Sequence, residues 1–336
     1  MNNTQRPERL TDLIKRLLDR GYNRAVEPVI RAIVRDSTSG VIAQRLDELN
    51  VEAQRLADIG ERLRPDNPVI RALLADLETV LTNDQRRIAD ASVDIQRSSI
   101  DAANTITKRL ALPGVTDEQF RRIVGVSWNS PSEEAVARLI EFVDLPEWQD
   151  EIGAMSDTTL ATVRNQAVRG IVEGWSPLKT ARQIQQTVES LPAHQANNLM
   201  RTLQMQSYRT GQVANMTAND DILDGHMRIA ALDDRTCMAC IGLHGTVLKT
   251  SDRVDDHHQG RCTSIPLVTG RARNIQSGID WFNELPEERQ LKIAGRGKLD
   301  ALKNGDIRWQ DLQQDYSNPA FGRMIRETSL KQALQR

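Results

Sequence analysis

The sequence predicts a mainly α protein, built of long helices and helical hairpins, with one small β-containing metal-binding knob. Three observations predict it. Apolar residues recur at steps of three and four along most of the chain, the spacing of a helix that packs on one side. Aromatic residues make up only 4 % of the 336 residues, so the core must be built from aliphatic seams. All three cysteines and three of the five histidines fall in one stretch, "DDRTCMACIGLHGTVLKTSDRVDDHHQGRC", residues 233–262, where the helical period breaks.

The elements follow in order. From residue 8 to about 110 the pattern is helical, with Ile42, Leu46, Leu49, Ala53, Leu56 and Leu63 forming a narrow stripe. "RPDNP" at 64–68 interrupts it, because two prolines disfavour helix there. A second helical stretch runs from about Val69 through Leu81, Ile88, Ala91 and Ile95 to Ile106. The pair reads as an antiparallel hairpin with a solvated face, or as a stripe that docks onto another subunit. "ALPGVTDEQF" at 111–120 is a break and a new helix start. In "SWNSPSEEAVARLIEF", Ser130 is placed as N-cap, Pro131 as first helical residue and Glu133 as the close of a capping box.

Gly174 ends the next helix, and Ser176 with Pro177 opens another. A further long helix, "AHQANNLMRTLQMQSYRTGQVANMTAND", ends near Asn219. Thr202, Arg209 and Asn215 share one of its faces, which reads as solvated or as a contact with a partner. "HMRIAAL" and "GTVLKT" read as short strands, and "TSIPLVTG" as a third strand or an extended exit. Beyond 271 helix returns in "SGIDWFNELPEERQLKIAG", breaks at "GRGK", and resumes in "LDALKNGDIRWQDL". The expected divisions are an N-terminal helical region (1–110), a helical domain (111–225), the knob (226–270) and a C-terminal helical segment (271–336).

Composition narrows the function. Lysine plus arginine total 44 against 46 acidic residues, so no global charge draws the chain to nucleic acid or a membrane surface. No apolar run approaches the roughly 20 residues that span a bilayer, and "MNNTQRPERL" lacks a signal peptide's apolar core. Three cysteines in one window do not make a secreted disulfide framework. These features fit a protein made in a reducing cytoplasm.

Cys237 and Cys240 form a C-x2-C pair, whose thiolates converge on one ion at about 2.3 Å each. A tetrahedral zinc site needs two more ligands. Cys262 is the remaining thiol, and His257 or His258 supplies an imidazole. Arg235 and Arg261, beside these ligands, would balance part of the thiolate charge. Four protein ligands close the coordination sphere, which makes such a site structural. Ordinary half-buried thiols, or a disulfide from Cys262, are the other readings. His244 falls in a turn and is not counted as a ligand, and His194 and His226 stand alone. "DDHH" downstream of CxxC also suggests an HNH-like metal-dependent nuclease with a histidine base, but a second CxxC and the partner residues of a following helix are missing. "GRGK" lacks a P-loop's spacing and reads as a turn between helices.

"IAALDDRTCMACIGLHGTVL" followed by "HHQGRCTSIPLV" resembles the signature of the phage Mu F-like minor head proteins, the tailed-phage head morphogenesis family. Asp234, Arg235, Thr236, Cys237 and Cys240 match its D-x-R-T-C-x-x-C core. Leu243, Gly245 and Val247 match the turn and strand that follow, and His257, Arg261 and Cys262 match its closing motif. Gly260 stands where the family often has a further cysteine, and His244 where an aspartate is usual. The resemblance therefore implies zinc held by Cys237, Cys240, His257 and Cys262, with His257 preferred to His258 because it matches the family position. Flanking helices extend the likeness over about residues 160–315. It implies a non-enzymatic, low-copy minor head protein in the virion, at the head interior or portal vertex. Its partners would be the portal protein, the major capsid protein and packaged DNA, and its role head morphogenesis and genome packaging or delivery.

Overall fold

The computed structural model describes residues 7–336, with side chains from Lys15 onward except that of Leu17. The chain is 66 % helical with few small sheets, so the mainly α reading holds. Helices α1 (Pro7–Ala25), α2 (Glu27–Thr38) and α3 (Gly40–Asp58) precede the long α4 (Pro68–Ala111). Then come α5 (Asp117–Val124), α6 (Glu133–Ile140), α7 (Pro146–Val172) and α8 (Pro177–Thr217). Strand β1 (Leu223–Ile229), helix α9 (Met238–Leu243), and strands β2 (Val247–Leu248) and β3 (Thr263–Val268) form the knob. Helices α10 (Gly278–Asn283), α11 (Glu287–Ala294) and α12 (Arg296–Asn304), strands β4 (Gln313–Asn318) and β5 (Gly322–Glu327), and α13 (Leu330–Ala333) complete the chain.

The chain folds into two compact units that interleave along the sequence. One holds residues up to Gly21, Gln96–Glu141 and Thr202–Arg336; the other holds Tyr22–Ile95 and Phe142–Arg201. In the second unit the heptad-like stripe is buried. Ile42, Leu46, Leu49, Ala53 and Leu56 pack with Leu73, Leu77, Val163, Ala167 and Ile184 in one cluster. The stripe is thus satisfied inside the unit, which corrects the reading that it docks onto another subunit. Leu63 joins this cluster from the turn between α3 and α4. The first helical stretch is also three helices rather than one, with Pro28 opening α2 and Gly40 (φ 60°) opening α3.

Local chemistry sets several boundaries. Thr116 and Gln119 form a reciprocal capping box at α5, which satisfies two amide donors that the first helical turn leaves free. The cap of α6 is Ser132, whose side chain accepts from the Ala135 amide at 3.2 Å, and not Ser130 as expected. The helix expected to begin after Pro192 is part of a single α8, with Pro192 inside it. A proline there forfeits one helical hydrogen bond, and buried Val188 and Ala196 on either side keep the helix packed.

In the first unit, β1 lies between β2 and β3, antiparallel to both. Register pairs His226 with Leu248, and Arg228 with Ser264. "TSIPLV" is therefore a strand. The C-terminal segment, expected to be helical, contains the β4–β5 hairpin, with Gln313 opposite Glu327. Trp309–Leu312 is a single 3-10 turn, not the end of a helix. Pro319 cannot continue the ladder, and Asn318 Oδ1 accepts from the Phe321 amide at 2.8 Å to close the turn.

One hydrophobic cluster joins the knob to this C-terminal segment. Met238, Cys240, Ile241 and Cys262 pack with Phe282, Leu299, Ile307, Leu312 and Ala333. The knob therefore rests on a substantial apolar core rather than on a few turns.

Candidate metal centre

The CxxC pair wraps the start of α9. Cys237 is the residue before its first turn, and its Sγ accepts from the Cys240 amide at 3.4 Å. Glu327 of β5 accepts from the Met238 amide at 2.8 Å, so the C-terminal hairpin holds this turn in place. The other half of the site is the loop 256–262. Its end is clamped by Arg261, which donates two 2.6 Å hydrogen bonds to Asp233. Asp233 also accepts from the Arg235 amide and the Thr236 hydroxyl. Arg261 foremost holds the Asp233 carboxyl well below the usual carboxylate range.

The structure brings the four sequence-predicted residues to one place. His257 Nε2 lies 3.4 Å from Cys237 Sγ, and its Nδ1 lies 2.8 Å from the His258 carbonyl. Cys237, Cys240 and His257 have potential ligand atoms within 4.8 Å of one another, and so do Cys240, Asp256 and Cys262. The cluster is thus two triads that share Cys240. The His258 ring instead packs edge-on against Phe321, with centroids 5.9 Å apart. All three cysteines are free thiols.

Three thiols and an imidazole are the donor set that structural zinc takes, and ligand atoms near 2.3 Å from an ion lie about 4 Å apart. The spacing in each triad fits that requirement. Cys237, Cys240 and His257 would supply three of those ligands from one triad, and Cys262 stands in the other triad beside Cys240. A bound ion would cross-link the α9 turn to the 256–262 loop, and a closed sphere would leave no position for a substrate.

Sequence reasoning missed the group at the centre. Asp256 is fully buried. Its Oδ1 accepts from the His257 amide at 3.0 Å and lies 3.3 Å from Cys240 Sγ; its Oδ2 accepts from the Cys262 amide at 3.0 Å. Arg209, from α8, donates to Asp256 Oδ2 at 2.7 Å, to the Gly260 carbonyl at 2.7 Å and to the Cys262 carbonyl at 2.8 Å. Arg228, from β1, lies 3.7 Å from Asp256 Oδ1 and 3.6 Å from Cys240 Sγ. Burial opposes ionisation of Asp256, but Arg209 and Arg228 outweigh it and hold the carboxyl below its ordinary value. Asp256 stands directly before His257 in "DDHH", the signal that could have found it.

Two expectations are corrected here. Arg235 is exposed, and Arg261 spends its fork on Asp233 while still close enough to be drawn by Cys262 and Cys240; the fully buried cations at the thiols are Arg209 and Arg228. The Thr202–Arg209–Asn215 face is neither solvated nor free for a partner, because all three side chains are at most 2 % exposed. Thr202 accepts from the Gln259 amide at 3.0 Å, Gln212 donates to the Ser264 carbonyl at 3.0 Å, and Asn215 reaches Asn104. That face grips the closing loop, where Gln259 adopts a left-handed backbone (φ 57°). His244 is buried with Nδ1 accepting from the Ala230 amide at 2.9 Å, and His226 bonds the Asp252 carbonyl; both are structural. His194 pairs with Asn198.

Fold and site together define a helical protein with a thiol-rich, cross-braced knob. Residues 161–266 of the chain match the family model described as Phage Mu protein F like protein. The match runs from within α7 through α8 and the knob to β3, and over it the chain resembles the Mu F-like head morphogenesis proteins of phages. No curated protein and no solved structure matches the chain.

Proposed function

We propose that this protein is a low-copy minor head protein of a tailed phage. It would sit at the portal vertex or head interior, contact the portal and major capsid proteins, and aid head morphogenesis and genome packaging or delivery. The family match over 161–266 carries this reading. The site supports a structural role, because His257 faces a thiol and the thiols face buried arginines, an arrangement suited to holding an ion rather than to activating water. Zinc is the proposed ion, chosen by the soft donor set. The knob would hold α8 and the C-terminal hairpin in fixed relation, so that the surfaces they carry meet a partner as one rigid piece.

The test is the protein composition of purified particles from the source, with copies of this chain counted against the portal. A handful of copies per particle is expected, and Cys262→Ser should abolish incorporation. Absence from particles overturns the reading, and metal-dependent nicking of plasmid DNA that vanishes in His257→Ala would replace it with the nuclease.

A further inference from the structure

Two arginines are buried beside the thiols, and one carboxylate serves both. Arg209 is 2 % exposed, Arg228 3 % and Asp256 0 %. With the three thiols neutral, this array carries one uncompensated positive charge in a region of low dielectric. An unpaired buried charge is strongly disfavoured. Arg209 directs its Nε and Nη2 donors at Asp256 and at the carbonyls of Gly260 and Cys262. Arg228 stands farther from Asp256 and reaches Cys240 Sγ and the Asp255 carbonyl instead. The surplus charge therefore lies on Arg228, beside the cysteine that the two triads share.

We propose that Arg228, with Arg209, is the charge partner of the thiolates of a metal centre, and that the pair sets its preference for a divalent ion. When the ion enters, the three thiols release their protons to solvent. A divalent ion, three thiolates, one carboxylate and two guanidiniums sum to zero. A monovalent ion would leave the buried array at minus one, and a trivalent ion at plus one. The count holds whether Asp256 stays on the arginines or touches the ion. Arg228 is a positioning residue, since it reaches the ion through sulfur.

This inference rests on the metal reading of the knob, and its test separates the two. The full-length protein, prepared metal-free under reducing conditions, is titrated with Zn²⁺ against a chromophoric chelator. Wild type should bind one Zn²⁺. Arg228→Gln should weaken binding at least tenfold, and Arg228→Lys, which keeps the charge but loses the fork, should recover most of that loss. Equal binding by wild type and Arg228→Gln overturns the charge role while leaving the metal reading intact. Equal loss in the Gln and Lys variants also overturns it, because fork geometry would then be what matters. No Zn²⁺ bound by wild type ends both. If Arg228→Gln fails to fold, Asp256→Asn decides. Removing one negative charge should lower the ratio of Zn²⁺ to Ag⁺ affinity at least tenfold, and an unchanged ratio refutes the proposal.

Discussion

The carboxylate of Asp256 fills the space in which a side chain at Gly260 would begin, so that a Cβ built there would overlap it. Residue 260 is bare because its neighbour four positions earlier has turned inward to meet Arg209 and Arg228. The lack of a side chain at 260 and the burial of an acid at 256 are one structural fact.

Gly260→Ala should therefore displace Asp256 from its arginines. Overpacking of this kind costs about 1–3 kcal/mol, and loss of the ion pair adds to it. Thermal melting should show a clear drop. A variant that melts with wild type would mean that the loop yields freely.

Metal removal gives a second expectation. A strong chelator should lower the melting temperature of the wild-type protein, because an ion bound only by the folded state stabilises it by mass action. It should not affect Cys240→Ser, which breaks both triads at once. Identical melting of wild type with and without chelator would count against a resident ion.

Phe282 tests how far the knob depends on the C-terminal segment. It is 2 % exposed, shares a cluster with Cys240 and Cys262, and meets Trp309 edge-on with centroids 5.3 Å apart. Phe282→Ala should cost about 3–5 kcal/mol and raise the reactivity of the buried thiols toward a maleimide. Unchanged thiol labelling would show that the knob stands without this packing.

The other unit has its own pH response. Asp84 is fully buried between α-helical neighbours, and burial pushes its carboxyl up to about 6 despite Arg87 beside it at 2.8 Å. In the folded chain it keeps a proton that the unfolded chain, at 3.8, has already released. That contribution to stability is present below the unfolded value and is lost as pH rises through about 6. Asp84→Asn should flatten the fall in stability between these values, as read by urea midpoints across the range. An unaltered profile would assign the dependence to other groups.

Much of this was legible in residue order. The stripe from Ile42 to Leu56, the new helix after the break at 111–120, the start at Pro177 and the clustering of Cys237, Cys240 and Cys262 with a histidine follow from spacing, and the resemblance picked His257 over His258. What escaped has physical causes. Arg209 reads as a surface residue because its charge predicts solvent, and only Asp256, 47 positions later, makes its burial tolerable. Pro192 reads as a break because the tertiary packing that carries a helix past a proline is not local. The β4–β5 hairpin has few β-branched residues, so its strands lack a propensity signal, although "NPAFG" marks the turn.

The interleaving of the two units also orders events in time. The unit made of Tyr22–Ile95 and Phe142–Arg201 is fully synthesised once residue 201 has been added, whereas its companion needs everything from Thr202 to the end. Leu18, for example, belongs to a cluster with Ile229 and Ile265, which do not exist until most of the chain has been made. Domains generally fold as units during synthesis, so one unit should be closed while Leu18 and the Gln96–Glu141 segment still wait for their partners. In that interval the apolar residues of the waiting segments are uncovered, and the thiol-bearing knob arrives as the piece that covers them.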